Sequence, residues 1–265
     1  MIVFPQRSSG AVAQFPFQRR IGFRTLLNGA EDGSEISAAD PDFEERVWLL
    51  PASELSDEEW QDIEDLFVQS EGRLLSFLFL EPGANLLSWS EQLDDAAWDR
   101  DAGFSVLDGQ DDPLGGTGAV RITSAGGAGS VTQTLNIPAS FRYAGSIWAR
   151  TTQSGALLQV DDSSSQLVQA PFDSSNQWRR YSVGYNLTSA AETVAFRIVL
   201  PASATVDVFG PQIEAQASPS AYKKTLDQAG VYPNARFDHD TLGDRLTGVG
   251  RHSGEIRISW TPSQT

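Results

Sequence analysis

The chain has 265 residues, with 35 acids against 19 bases and a formal net charge of −16. That balance argues against a nucleic-acid-binding surface, which is ordinarily basic, and against adhesion to anionic membranes; its simplest meaning is solubility. There is no cysteine, which excludes disulfides and cysteine-ligated zinc and fits assembly in a reducing cytosol. No apolar run approaches the ~20 residues of a membrane span, so no membrane insertion is expected. Residues 1–14 also lack the basic start and long apolar core of a signal peptide.

Residues 15–27, FPFQRRIGFRTLL, alternate. Phe15, Phe17, Ile21, Phe23 and Leu27 share one face, which predicts a half-buried strand. Arg19 interrupts that face and points to an edge or an interface. Asn28 and Gly29 signal a turn, and the acidic stretch 31–42 reads as a loop. FEERVWLL at 43–50 predicts a second strand, stopped by Pro51. Ser56 with Glu59 forms a capping-box pattern, and Asp57 and Glu58 suit the positive end of a helix dipole. Trp60, Ile63, Leu66 and Phe67 then line one helical face, and Gly72 falls where a C-terminal cap is expected. LLSFLFL at 74–80 has strand length and ends at Glu81, Pro82 and Gly83.

The stretch 85–224 changes character. It holds four of the seven tryptophans and many glycine-rich turns. Strands are predicted at 104–107, 119–123, 130–137, 144–150, 157–160, 178–185, 194–200 and 206–213, with a long turn over 108–118. GGAG at 126–129 reads as a hairpin joining two of them. Residues 144–150 and 157–160 read as a further pair. Short strands separated by turn signals indicate an all-β sandwich. The flanks, 1–84 and 225–265, are each too small for a good core alone and are expected to fold together around this insert. Residues 235–237, and the alternating Ile256, Ile258 and Trp260, predict strands, the last pairing back into the flanking sheet. The expected class is mainly β: a β-rich host domain with one helix, split by a β-sandwich.

The insert opens with Asn85, Leu86 and Leu87, then Ser90 and Glu91, then Ala97 and Trp98. It closes with FGPQIE at 209–214 and SPSAY at 218–222. Residues 131–135, 143–149 and 176–181 supply matching middle strands. In these positions it resembles the jelly-roll, carbohydrate-binding-like domains embedded in phage tail proteins. That resemblance implies a binding module without catalysis. Sugar recognition uses aromatic faces with planar hydrogen-bonding groups, so Trp89, Trp98, Trp148 and Trp178 are candidate glycan contacts, against the ordinary reading of strand tryptophans as core. Asp108, Asp111 and Asp112 are a candidate calcium cluster, against a solvated turn. Asp161 and Asp162, with residues 163–165, form another acidic turn.

The flanks carry a second resemblance. FPFQRRIGFRT at 15–25, the helix followed by Gly72 and Arg73, the strand ending at Glu81 and Pro82, NARFDHDTL at 234–242 and GRHSGEIRI at 250–258 are similar to the distal tail proteins of long-tailed phages and gene transfer agents. Residues 1–14 and 30–42 have no part in it. It implies a structural virion protein at the tail tip, assembled in the host cytoplasm. Its partners would be copies of itself in a six-membered ring, the tail tube protein and the tail hub protein, with the insert projecting towards host surface glycan. Arg19, Arg20 and Arg24 are the candidate ring interface. Residues 1–84 hold 16 acids and six bases, and acids lining a lumen would keep passing DNA from sticking.

Two other readings stay open: a receptor-binding tail protein whose insert does the main work, and a polysaccharide-degrading enzyme. For catalysis there are two histidines, His239 and His252. FDHD at 237–240 offers a carboxylate beside an imidazole, as a Ser-His-Asp site needs. No serine sits in a nucleophile elbow, and Ser253 merely adjoins His252. There is no Walker loop, dinucleotide fingerprint or H-E-x-x-H motif. No enzymatic activity and no cofactor are expected.

Overall fold

The computed structural model describes all residues except 165, 187–188 and 263–265, and the side chains of residues 41 and 42. In chain order its first elements are β1 (Gln18–Gly29), β2 (Glu35–Leu55), α1 (Asp57–Gln69) and β3 (Phe77–Leu80). Next come β4 (Asp99–Arg100), β5 (Phe104–Gln110), β6 (Ala119–Ser124), β7 (Gly129–Leu135) and β8 (Tyr143–Arg150). They are followed by β9 (Leu157–Asp162), β10 (Leu167–Pro171), β11 (Arg179–Tyr185), β12 (Val194–Leu200) and β13 (Thr205–Glu214). The last are β14 (Val231–Phe237), β15 (Asp244–Gly248) and β16 (Arg251–Trp260). The protein is mainly β. Two compact units are present: Met1–Ser8, Ala13–Phe79 and Tyr232–Thr265 make one, and Ser9–Val12 with Leu80–Val231 make the other.

The first unit is a six-stranded sheet ordered β1-β2-β16-β14-β3, with β15 also on β16. Trp48, Leu50, Phe77, Phe79, Tyr232, Phe237, Ile256 and Ile258 are among its buried apolar residues. The helix docks through Trp60, Ile63 and Leu66, and Phe67 meets Phe237 with ring centroids 5.0 Å apart. Both halves of the capping box form, Ser56 accepting from the Glu59 N–H and Glu59 from the Ser56 N–H. The helix leaves through a Schellman pattern, the Glu71 and Gly72 N–H groups donating to the Val68 and Phe67 carbonyls. The cap is Ser70, and Glu71 (φ 51°) as well as Gly72 (φ 65°) takes left-handed backbone, so the stop lies slightly ahead of the glycine.

Four expectations for this unit need correction. β1 forms, but its residues are exposed rather than half-buried: Phe23 is 73% exposed and Leu27 59%. Alternation tells which side chains share a face, not whether the same chain covers that face. Residues 35–42 belong to β2 rather than a loop. Asn28 pairs with Ile36, and the turn lies at 30–34, where the Ala30 N–H donates to the Ser34 carbonyl. Pro51 does not stop β2, which continues to Leu55 with Pro51 opposite Glu255. The apolar run 74–80 yields only the four-residue β3, because Leu74 and Leu75 are solvent-facing.

The second unit is a sandwich of two five-stranded sheets, β10-β9-β12-β7-β4 and β11-β8-β13-β6-β5, in a jelly roll. Leu158, Val160, Phe196 and Ile198 of one sheet and Val120, Ile122, Ile147 and Val208 of the other are fully buried. The expected hairpin between 119–123 and 130–137 is absent: β6 and β7 lie in different sheets, as do β8 and β9. A glycine-rich link permits a crossover as readily as a tight turn, and alternation does not name a strand's partner. The turn expected over 108–118 starts later, since β5 runs to Gln110.

One side chain joins the two ends of this unit. The Asn85 amide donates to the Pro211 and Lys223 carbonyls at 3.0 and 3.2 Å, and its oxygen accepts from the Leu87 and Ile213 N–H groups at 3.1 and 3.2 Å. Nearby, Gly210 takes φ +60°, and a Cβ there would lie 2.9 Å from the Tyr222 ring. Asn85→Asp puts a buried anion against two carbonyls and removes both donors. It should destabilise the unit by ~3 kcal/mol, read as a lowered urea midpoint, with Asn85→Ala costing less.

Candidate functional site

The first candidate surface is the ribbon of β1 and β2. From Thr25 to Gly29 it is a two-stranded extension pairing with residues 35–39. Leu26, Leu27 and Ile36 are all more than half exposed, with Leu27 on one face and Leu26 and Ile36 on the other. Arg19, Arg20 and Arg24 all lie on this exposed strand. Arg24 pairs with Asp40 and stands over the Phe43 ring, 5.0 Å from its centroid. The strand thus gathers basic and apolar groups at the margin of an acidic molecule.

The second surface is the outer face of the sheet β11-β8-β13-β6-β5. Register places Arg180 and Phe209 beside Trp148, and Asp207 beside Arg150. The bulge after Phe209 returns Gln212 and Glu214 to that same face. Half of the face is covered by the closing segment after β13. Glu214, fully buried, accepts from the Ser220 N–H and hydroxyl and from the Lys223 ammonium. Gln212 accepts from the Lys223 N–H at 2.8 Å, and Arg180 holds the Ser220 carbonyl at 2.6 Å and the Ser146 hydroxyl at 2.9 Å. Tyr222 meets Phe209 edge-on, and its hydroxyl bonds Ser90 and Glu91. Burial, reinforced by Glu91, pushes the Tyr222 phenol well above its ordinary pKa.

The other half of the face holds Trp148 and Trp178, both half-buried. Arg150 stands 4.7 Å from the Trp178 ring centroid and bonds Asp207 at 3.0 Å, while Arg121 takes the other oxygen of that carboxylate at 2.7 Å. Burial opposes the charge on Asp207, but the Arg121 and Arg150 hydrogen bonds outweigh it and hold its pKa below the usual carboxylate range. The Trp178 indole N–H is buried and unpartnered among the described residues.

The other predicted positions do not join this surface. Trp98 is 2% exposed and offers no face to a ligand: it is core, its indole N–H donating to the Trp89 carbonyl at 3.1 Å. Trp89 is half-buried in left-handed backbone (φ 50°) and bonds Leu226. Asp108, Asp111 and Asp112 do not converge: no group of three or more His, Cys, Asp or Glu side chains among the described residues is arranged for a metal. Asp112 closes its own loop, accepting from the Leu114, Gly116 and Gly118 N–H groups. Asp108 is raised in pKa by burial and by the facing Asp94. Asp161 and Asp162 end β9 and are buried rather than solvated. Asp161 pairs with Arg197 at 2.7 Å, and Asp162 accepts from the Tyr185 hydroxyl at 2.9 Å. Residue 165 of that acidic turn lies outside the description.

Sequence reasoning missed the pairing around His252. Its Nδ1 lies 2.6 Å from Asp244 on β15, its Nε2 lies 2.8 Å from Asp57 on α1, and its ring stacks on Trp60 at an interplanar angle of 3°. The nearest sequence sign was the apolar Trp60 beneath a strand histidine. FDHD forms no such arrangement: His239 packs against Phe67, with its Nδ1 buried and unpartnered among the described residues.

No family model matches the chain, and no curated protein does. Among solved structures, the enzymatically active domain of bacteriophage CBA120 tailspike protein 4 is 15% identical with a TM-score of 0.40, covering 49% of this chain and 21% of its own. TmCBM61 in complex with β-1,4-galactotriose is 14% identical with a TM-score of 0.36, covering 49% and 97%. The CBM22-1 xylan-binding domain of Paenibacillus barcinonensis Xyn10C is 11% identical with a TM-score of 0.37, covering 52% and 94%. The chain thus spans about a fifth of the tailspike domain's length. At these scores the likenesses decide neither ligand nor activity.

Only an imidazolium donates at both ring nitrogens, so the bonds to Asp57 and Asp244 raise the His252 pKa. The stabilisation from that pair is therefore complete below ~6.5, the unfolded value, and disappears as pH rises through the raised folded value. Urea midpoints of the wild type should fall across that window, and those of His252→Gln should not.

Proposed function

We propose that this chain is a structural subunit of a phage tail tip, a distal tail ring protein whose copies join through the β1 and β2 ribbon. Within it, residues 1–84 with 225–265 serve as the ring-forming host and residues 85–224 as the outward module. The observation that carries this reading is the exposed apolar strand. A two-stranded ribbon solvated on both faces is marginal by itself, and a long open edge is a template for another chain. Ile21, Phe23, Leu26, Leu27 and Ile36 stand 46–73% exposed along it. The order of motifs in the flanks supports the tail assignment. The ring's neighbours are then the tail tube and hub proteins, and the ring's work is passive and non-catalytic: to continue the tube and hold the tip.

The purified chain should form closed rings in negative-stain electron microscopy, six-membered by the family pattern. Phe23→Ser should shift it to monomer in size-exclusion chromatography with light scattering, leaving circular dichroism unchanged. A wild type that stays monomeric at every concentration overturns the reading.

A second reading rests on Trp148, Trp178 and Arg150, which share one uncovered half of an outer sheet face: the module binds host surface glycan there. Aromatic faces beside guanidinium groups suit sugar rings. On a glycan array the full chain should retain a defined set of glycans, and Trp148→Ala and Trp178→Ala should each lower retention at least tenfold. Undiminished retention in both variants removes this surface from consideration.

A further inference from the structure

We infer that copies of this chain join head to tail, the open edge of β1 in one copy pairing with the open edge of β15 in the next; this rests on the ring reading above. The argument begins with sheet order. Among the described residues, β1 pairs with β2 alone and β15 with β16 alone. Around the central pair of β2 and β16, these strands lie on opposite sides. The third candidate edge, β3, is already occupied: Val3 bridges Leu78, the Phe4 N–H donates to the Leu78 carbonyl, and the Leu78 N–H donates to the Ile2 carbonyl. Apart from the ribbon part of β2, residues 35–45, which β16 does not reach, each copy therefore offers two unlike open edges on the body of one sheet. Joining unlike edges is a heterologous contact, which propagates and closes into a ring where the rotation allows.

The side chains fit this pairing. Every residue of β15 is exposed; Leu246 is 67% exposed, and Val249 in the following turn is fully so. They match the exposed Ile21 and Phe23 of β1. The charges match too. β1 carries Arg19, Arg20 and Arg24, the last paired with Asp40, whereas the surroundings of β15 carry Asp238, Asp240, Asp244, Glu54 and Asp57 against Arg73, Arg245, Arg251 and His252, so the two edges still differ in sign. Pairing β1 with another β1 would instead set the arginines against their own copies, and like charges across strands are destabilising. Length agrees as well. The five residues of β15 suit the part of β1 that precedes its register shift between Phe23 and Thr25.

The absence of cysteine makes the test clean, since every thiol is an introduced one. Full-length Ile21→Cys and Leu246→Cys variants are prepared, and each is treated alone and then mixed with a short bismaleimide. A covalent dimer is expected in the mixture only, and a ladder of oligomers from the double variant. Light scattering is run alongside to report assembly. Rings without mixed cross-links overturn the edge assignment and leave the ring reading standing. Cross-linking of Ile21→Cys to itself shows a like-with-like contact and also overturns it. Monomers throughout overturn both.

Discussion

The sandwich depends on a single buried amide. Asn85 has two donors and one two-sided acceptor, and all are used, on Pro211, Lys223, Leu87 and Ile213. One of these partners, Pro211, lies in the bulge of β13 and another, Ile213, just after it, while Lys223 lies in the closing segment and Leu87 in the opening turn. The side chain therefore fastens the beginning of the module to its end. The Gly230 N–H bonds the Asn85 carbonyl at 2.9 Å, which carries the fastening to the last residues of the unit. A module whose ends meet can be set into a loop of another fold without stretching either chain. A carboxylate in place of the amide would leave the two buried carbonyls unpaired, and leucine or alanine would leave the two N–H groups unpaired as well.

This fastening explains what the opening and closing motifs are for. Asn85, Ser90, Glu91, Trp98, Phe209, Gln212, Glu214, Ser220 and Tyr222 carry the likeness to inserted tail modules, and most bond or pack against one another. Tyr222 alone reaches Ser90, Glu91 and Phe209, and Glu214 takes Ser220 and Lys223. They are architecture. On the glycan reading proposed above, a ligand would meet Trp148, Trp178 and Arg150, which stand apart from the opening and closing motifs. The likeness therefore speaks to how the module is built and is silent on its specificity.

The sequence was most legible where a signal is local. The capping box at Ser56 and Glu59 needs only four residues, and the helix begins where it says. Strand positions were largely legible because alternation is local too. Strand partners were not: nothing in GGAG distinguishes a hairpin from a crossing to the other sheet, and β6 and β7 took the crossing. Pro51 also misled. A proline ends a strand only where its missing N–H is needed, and β2 runs past it. The acids at Asp161 and Asp162 looked solvated because their partners Arg197 and Tyr185 are distant in sequence. His252 was unreadable for the same reason, since Asp57 lies 195 residues away.

The exposure of β1 is the feature that a single copy leaves unbalanced. Burying a large apolar side chain contributes roughly 1.5–3 kcal/mol, and Phe23, Leu26, Leu27 and Ile36 gain little of that in one chain. Yet ordering the ribbon costs about 1–2 kcal/mol of backbone entropy per residue. The ladder between residues 25–29 and 35–39 offsets only part of this. The remainder has to come from whatever covers the strand, and a net charge of −16 keeps the molecule soluble until that happens. On the ring reading proposed above, a basic strand on an acidic chain is drawn to the acidic surface of another copy. On that same reading the net negative charge and the arginines that interrupt an apolar face are two halves of one arrangement: the first would keep copies apart at a distance, and the second would select which edge closes when they meet.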